Sequence, residues 1–326
     1  MGKRTNKRTN KRKRYRKKTR KWKNVKCSAG TRKLPYSCYS SRMIHRMKKF
    51  WNARHPDMAI RTNKTKEIWL ALKQRLEPTC ESEKCWMKQH FMSGGVNTEM
   101  KDFTFAPEVP DEWKKNPNEW LSSMDILRVM KQYEYEYPCF EFMGPSPIDF
   151  DTKKMYGQCV WDEICNFNLK EQLDKGKRKI GIIFNLDPHY KPGSHWVALF
   201  IYITKRDMEN IQSNNNVKSS NKNGIYYFDS YGDRAEPEIL DFMERVKKQA
   251  HQLGLKVPTL ENSRRHQYSD SECGMFSLYF IIRMLLANGD RNAVNSQQIF
   301  NHLSVRNKIP DKHMKELRKM YFNWEE

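Results

Sequence analysis

The sequence predicts an α+β fold over residues 101–326, preceded by a helical N-terminal extension over 25–100 and a basic arm over 1–24. Three observations predict it. RKIGIIF (178–184), HWVALFIYI (195–203) and IYYFD (225–229) are strand-length runs rich in β-branched and aromatic residues. They alternate with longer stretches whose apolar residues recur at helical spacing. The basic charge is confined to one end: residues 1–56 carry 22 of the 61 Lys and Arg and no Asp or Glu, leaving 39 basic against 38 acidic residues in the rest.

The arm, MGKRTNKRTNKRKRYRKKTRKWKN, holds 14 Lys or Arg in 24 residues. Such a segment repels itself and has too little apolar surface to fold. Its charge suits DNA or another polyanion, with Tyr15 and Trp22 available for stacking; a nuclear import signal is the second reading. In the extension, SSRMIHRMKKFWNARH (40–55) and TKEIWLALKQRLEP (65–78) read as amphipathic helices. CESEKCWMKQHF (80–91) brings Cys80, Cys85 and His90 near each other. The gaps do not fit zinc-finger spacing, so the thiols read as packing residues and no metal is expected.

Within 101–326, WLSSMDILRVMKQYEYEYP (120–138) reads as a capped helix stopped by proline, and VWDEICNFNLKEQL (160–173) as a second helix. The strands follow, with about 20 polar, Asn-rich residues between the second and third that read as an exposed insertion. EPEILDFMERVKKQAHQLG (236–254) and IPDKHMKELRKMYF (309–322) are amphipathic helices. Between them Cys273 opens a run, Gly274 to Ala287, in which only Gly274, Ser277 and Arg283 are not apolar. No apolar run reaches the roughly 18–20 residues that a membrane-spanning helix needs. With eight irregularly spaced cysteines, the chain reads as a soluble protein of a reducing compartment.

Cys273 raises the chemical question. A thiol reacts as thiolate, and a helix N-terminus or a neighbouring imidazole promotes that form. Gly274 lacks a side chain, so a substrate backbone could approach the sulfur. His195, at the mouth of a strand after the turn-forming KPGS, is the candidate base, with His189 its rival. Asp229 ends the neighbouring strand and could orient the imidazole. Gln267 could donate its amide N–H to an oxyanion, together with the Cys273 backbone N–H. Glu272 and Asp270 would oppose a thiolate unless they point away. Each residue alone is more often structural than catalytic; their joint order is the signal.

SHW, YYFDS and Q-x5-CG, with WLSSMDI before them, resemble the cysteine proteases of the ubiquitin-like-protein-specific superfamily, which includes the SUMO proteases and adenovirus-type proteases. NLDPHYKPGSHWVALFIYI, GIYYFDSYG and SECGMFSLYFIIRML resemble most its virus-encoded branch in large cytoplasmic DNA viruses such as African swine fever virus. The resemblance implies a papain-like core in permuted order, with a central mixed sheet flanked by helices. It implies Cys273 as nucleophile, His195 as general base and acid, Asp229 as orienter, Gln267 as oxyanion donor and Trp196 as a wall of a narrow substrate channel. It further implies an endopeptidase cleaving after small, Gly-Gly-type sequences, maturing viral core polyproteins in the virion and host cytoplasm, without a cofactor. A protease that deconjugates ubiquitin-like modifiers is the alternative enzyme. A nucleic-acid-binding virion core protein is the alternative outside enzymology.

Overall fold

The computed structural model describes residues 22–30, 33–92, 103–214, 222–287, 296–306 and 308–324. The arm lies outside them but for its last three residues. The described residues within Met1–Val25 and Ser41–Val96 form one compact unit, and those within Lys26–Ser40 and Asn97–Glu326 form a second. Residues 26–40, read from the sequence as extension, thus pack with the larger unit.

In the first unit α1 (Ser41–Arg54) buries Met43, Ile44, Met47 and Trp51, and α2 (Thr65–Leu76) buries Ile68, Trp69, Leu72 and Leu76. These are the apolar positions of the two sequence patterns. Cys80 and Cys85 are not free packing thiols: they are joined as a disulfide. Cys27–Cys38 and Cys159–Cys165 are likewise paired, leaving Cys139 and Cys273 as free cysteines. Irregular spacing could not show these pairs, because turns bring the partners together.

The second unit is built on a mixed sheet, as the sequence predicts. Its strands are β1 (Phe140–Phe142), β2 (Ser146–Pro147), β3 (Lys179–Asn185), β4 (Trp196–Tyr202), β5 (Gly224–Phe228) and β6 (Thr259–Glu261). The order is β1-β3-β4-β5-β6, with β2 also on β3; β3, β4 and β5 run antiparallel and the outer pairings are parallel. Every residue of β4 is buried, because alternate side chains enter two different cores. Trp196, Ala198, Phe200 and Tyr202 face one core with α3 (Ser123–Glu136), α5 (Cys273–Leu286) and α6 (Asp311–Tyr321). Val197, Leu199 and Ile201 face the other with α4 (Pro237–Gln252). Continuous apolar runs in β3 and β4 are what a sheet covered on both faces requires.

Helix α3 starts as expected: Ser122 and Asp125 form a reciprocal capping box. The helix expected over 160–173 is instead two short ones, Asp162–Cys165 and Leu169–Asp174. The Asn168 side chain accepts the Glu171 N–H and starts a new helix there. Part of the polar insertion after β4 is also ordered, as a helix over Lys205–Gln212 capped by Thr204.

Candidate active site

β4 and β5 pair antiparallel, with Ala198 opposite Phe228. The start of β4 and the end of β5 therefore share one rim of the sheet, and His195 and Asp229 emerge there side by side. The imidazole Nε2 lies 2.6 Å from Asp229 Oδ1. Cys273 acts on the same imidazole, its side chain and charge being among the causes that raise the His195 pKa. Helix α5 carries Cys273 as its first residue and packs along β4. Ser277, one turn on, donates its hydroxyl to the Trp196 carbonyl at 3.1 Å, fixing helix against strand.

Asp229 is almost fully buried and firmly held. Its N–H donates to Asn262 Oδ1 at 2.8 Å, and Asn262 Nδ2 donates back to its carbonyl at 2.7 Å. Its carboxylate also accepts the Tyr231 N–H at 3.0 Å. Burial by itself would lower the pKa of His195; the hydrogen bonds to Asp229 and Cys273 and their charges outweigh it and raise it to about 9. The ring is therefore a cation at neutral pH.

Gln267 is fully buried beside this group. Its Oε1 accepts from Ser230 Oγ at 2.7 Å, and Nε2 donates to the Ser269 carbonyl at 2.6 Å. The second amide hydrogen faces Tyr231 Oη at a long 3.4 Å. The first N–H groups of α5 have no intrahelical acceptor. Both Nε2 hydrogens of Gln267 have protein acceptors, so its expected oxyanion role requires the long contact to Tyr231 to be exchanged for the substrate oxygen.

The acidic approach to Cys273 is resolved by tertiary packing. Glu272 turns away from the thiol and pairs with Arg318 of α6, Nη2 to Oε2 3.2 Å, both side chains buried. Burial raises the Glu272 pKa, and the Arg318 charge pulls it down. Arg318 also donates to the Glu119 carbonyl at 2.6 Å, with its guanidinium 4.4 Å from the Trp113 ring centroid. Asp270, in contrast, is exposed.

Two expected roles change. Gly274 is buried, and a Cβ there would sit 3.1 Å from Leu121 Cβ and 3.3 Å from Trp196 Cδ1. Its missing side chain serves close packing against those residues, not access of a substrate to the sulfur. His189 is not near the thiol pair: it is bound to Asp149, Nδ1 to Oδ2 2.6 Å. Trp196 does line a cavity of about 650 Å³, shared with Trp120, Lys154, Trp161 and Lys191. Trp196 Nε1 donates to the Leu121 carbonyl at 3.1 Å, so the cavity abuts the start of α5 through Trp196 and Leu121. Asn262, Tyr231 and Arg318 were not singled out from the sequence. Only the SYG after Asp229 offered any signal, and the other two are placed by long-range packing.

Residues 166–325 match the Ulp1 protease family, C-terminal catalytic domain. A protein of Acanthamoeba polyphaga mimivirus, provisionally named a thiol protease, is 33% identical over 238 residues, spanning 72% of this chain and 71% of its own. A cysteine protease of African swine fever virus is 25% identical over 229 residues, spanning 66% and 77%. The crystal structure of the African swine fever virus pS273R protease superposes with a TM-score of 0.57 at 20% identity, covering 91% of this chain and 95% of that one. That likeness extends to the fold, a central mixed sheet flanked by helices.

Proposed function

The chain belongs to the Ulp1 protease family and is a cysteine peptidase, and from that premise we propose that Cys273 is its nucleophile and His195 its acid and base. The observation that carries this reading is the imidazole bound through Nε2 to the buried Asp229, with Cys273 among the groups that raise its pKa. The thiolate adds to the scissile carbonyl, forming a C–S bond and an oxyanion. Gln267 Nε2 and the Cys273 N–H stabilise that oxygen. His195 gives its Nδ1 proton to the leaving amine as the C–N bond breaks. Water, deprotonated by the now neutral imidazole, then releases the acyl group. Asp229 holds the ring through Nε2 and favours its charged form.

The substrate in this reading is a polypeptide with Gly-Gly before the cut, within viral core polyproteins. Indole rings of Trp120 and Trp196 on one cavity favour residues without side chains there. Among the described residues the three most exposed large apolar side chains, Met155, Tyr156 and Tyr190, sit on the loops lining that cavity or beside its lining residues, which suits a long polypeptide better than a small ester. The test is incubation with a diglycine peptide, with candidate core polyproteins and with intact ubiquitin-like conjugates, followed by mass mapping of new termini. Cleavage confined to the conjugates would replace polyprotein maturation with deconjugation. We place the activity in the virion and host cytoplasm; finding the protein only in a secreted fraction would refute that.

The pH dependence follows from the site. With its pKa raised to about 9, His195 is protonated below that pH and loses the proton above it. The profile of kcat/KM is expected to fall on an alkaline limb near pH 9. In Asp229→Asn the neutral amide removes the carboxylate charge, so the limb moves down toward the ordinary imidazole value of about 6.5. An unmoved limb would remove Asp229 from its role.

The arm, outside the described residues in its first 21 positions, is proposed to tether the enzyme to DNA or another polyanion. Deleting residues 1–24 is expected to abolish salt-sensitive DNA binding and leave peptide cleavage within about twofold. Retention of DNA binding by the truncated protein, read by fluorescence anisotropy, would show that the tether lies elsewhere.

A further inference from the structure

The β4–β5 register places Ala198 opposite Phe228. Continued past the last pair, it sets residue 195 opposite residue 231. The two rings meet there: His195 and Tyr231 stack with centroids 4.7 Å apart and planes 12° from parallel. Tyr231 belongs to neither buried cluster and is only half-buried, so its place is not explained by filling the core. Its hydroxyl faces Gln267 Nε2 at 3.4 Å. Its own N–H binds Asp229. One side chain thus touches the ring and the amide on which the proposed chemistry depends.

We propose that Tyr231 is a positioning residue of the peptidase, its ring holding the His195 imidazole flat and charged and its hydroxyl directing the Gln267 amide. The proposal rests on the reading of Cys273 and His195 as the reacting pair. A cation lying on an aromatic face is attracted by the negative charge of the ring. A parallel stack also opposes tilting of the imidazole, which keeps Nε2 on Asp229. Tyr231 is itself held. Arg265 places its guanidinium 5.1 Å from the Tyr231 ring centroid and 4.9 Å from that of Tyr268, and its Nε donates to the Gln267 carbonyl at 2.9 Å.

The charged and titratable groups around the imidazole come from each neighbouring element. Asp229 and Tyr231 come from the turn after β5 and Cys273 from α5, while Arg265 and Asp270, from the loop before α5, act on Tyr231. Asp229 and the thiolate favour the charged ring and burial opposes it. Tyr231 adds attraction without charge, so its contribution separates from theirs by substitution at a residue that does not ionise in the working range: burial holds its pKa above the usual phenol value.

The experiment is the pH profile of kcat/KM of the full chain and of Tyr231→Phe, Tyr231→Leu and Tyr231→Trp, with NMR titration of the His195 ring. Tyr231→Leu removes the aromatic face, and the alkaline limb and the ring pKa are expected to fall together by about 0.5 to 1 pH unit. Tyr231→Phe keeps the face and loses the hydroxyl; the limb stays, and kcat drops about two- to fivefold. Tyr231→Trp keeps a face, so its limb stays at or above the parent's, and it carries the test if the leucine variant does not fold. A limb unmoved in Tyr231→Leu, or lowered as much in Tyr231→Phe or Tyr231→Trp, overturns the proposal. Turnover by Cys273→Ala would instead sink the reading of the reacting pair.

Discussion

Replacing Cys273 with alanine is expected to lower kcat on a diglycine peptide by about 10⁴- to 10⁶-fold, with the fold retained. Without the sulfur no acyl-enzyme forms, and the oxyanion donors and bound substrate geometry account for whatever rate remains. His195→Ala belongs to the same unit, so combining the two substitutions should cost little more than either alone. The loss should be chemical: Cys273 is buried at the first position of α5, and removing one sulfur there leaves the body of the helix on β4. Unaltered circular dichroism with absent cleavage is the expected pair of results. Cleavage within tenfold of the parent would falsify the assignment of Cys273.

The largest effect on stability is expected one residue earlier. Arg318→Met leaves Glu272 buried without its cation, and breaking a buried pair from one side costs about 3–5 kcal/mol. The pH dependence has a definite sign. A carboxyl whose folded pKa lies above its unfolded value binds more protons when folded, so stability falls as pH rises. Burial already raises Glu272, and loss of Arg318 removes an opposing cause. Urea unfolding of Arg318→Met should therefore show a deeper deficit at pH 7.5 than at pH 5.5. Adding Glu272→Gln should recover much of the loss at pH 7.5, because no charge then remains buried. Equal deficits at both pH values would mean that Arg318 matters only through Trp113 and the Glu119 carbonyl.

These two predictions draw on different amounts of sequence information. The thiol, imidazole, carboxylate and amide were legible because each stands at the edge of a strongly marked element. His195 and Asp229 bound continuous apolar strands, and Cys273 heads an apolar helix. Glu272 was visible as a problem, an acid beside a thiol, but its answer lies 46 residues on, on a helix whose pattern reports only which face is buried. Gly274 misled for a related reason: a missing side chain announces a close approach without naming what approaches. Strands β1, β2 and β6, two or three residues long, are too short to carry a periodic signal. They exist because β3 and β5 offer them an edge. The break near Asn168 was readable in principle, since asparagine is a favoured cap, yet the flanking apolar residues continued the helical pattern across it.

One consequence of the strand arrangement concerns engineering. His195 begins β4 and Asp229 follows β5, so both stand at one end of the ladder, while Tyr202 pairs with Gly224 at the other. The connection between the strands leaves from that far end. Its length can therefore vary without altering the spacing of His195 and Asp229, which is fixed by register. A fluorescent label on Lys205, just past the end of β4, would report on the enzyme from the rim opposite His195 and Asp229.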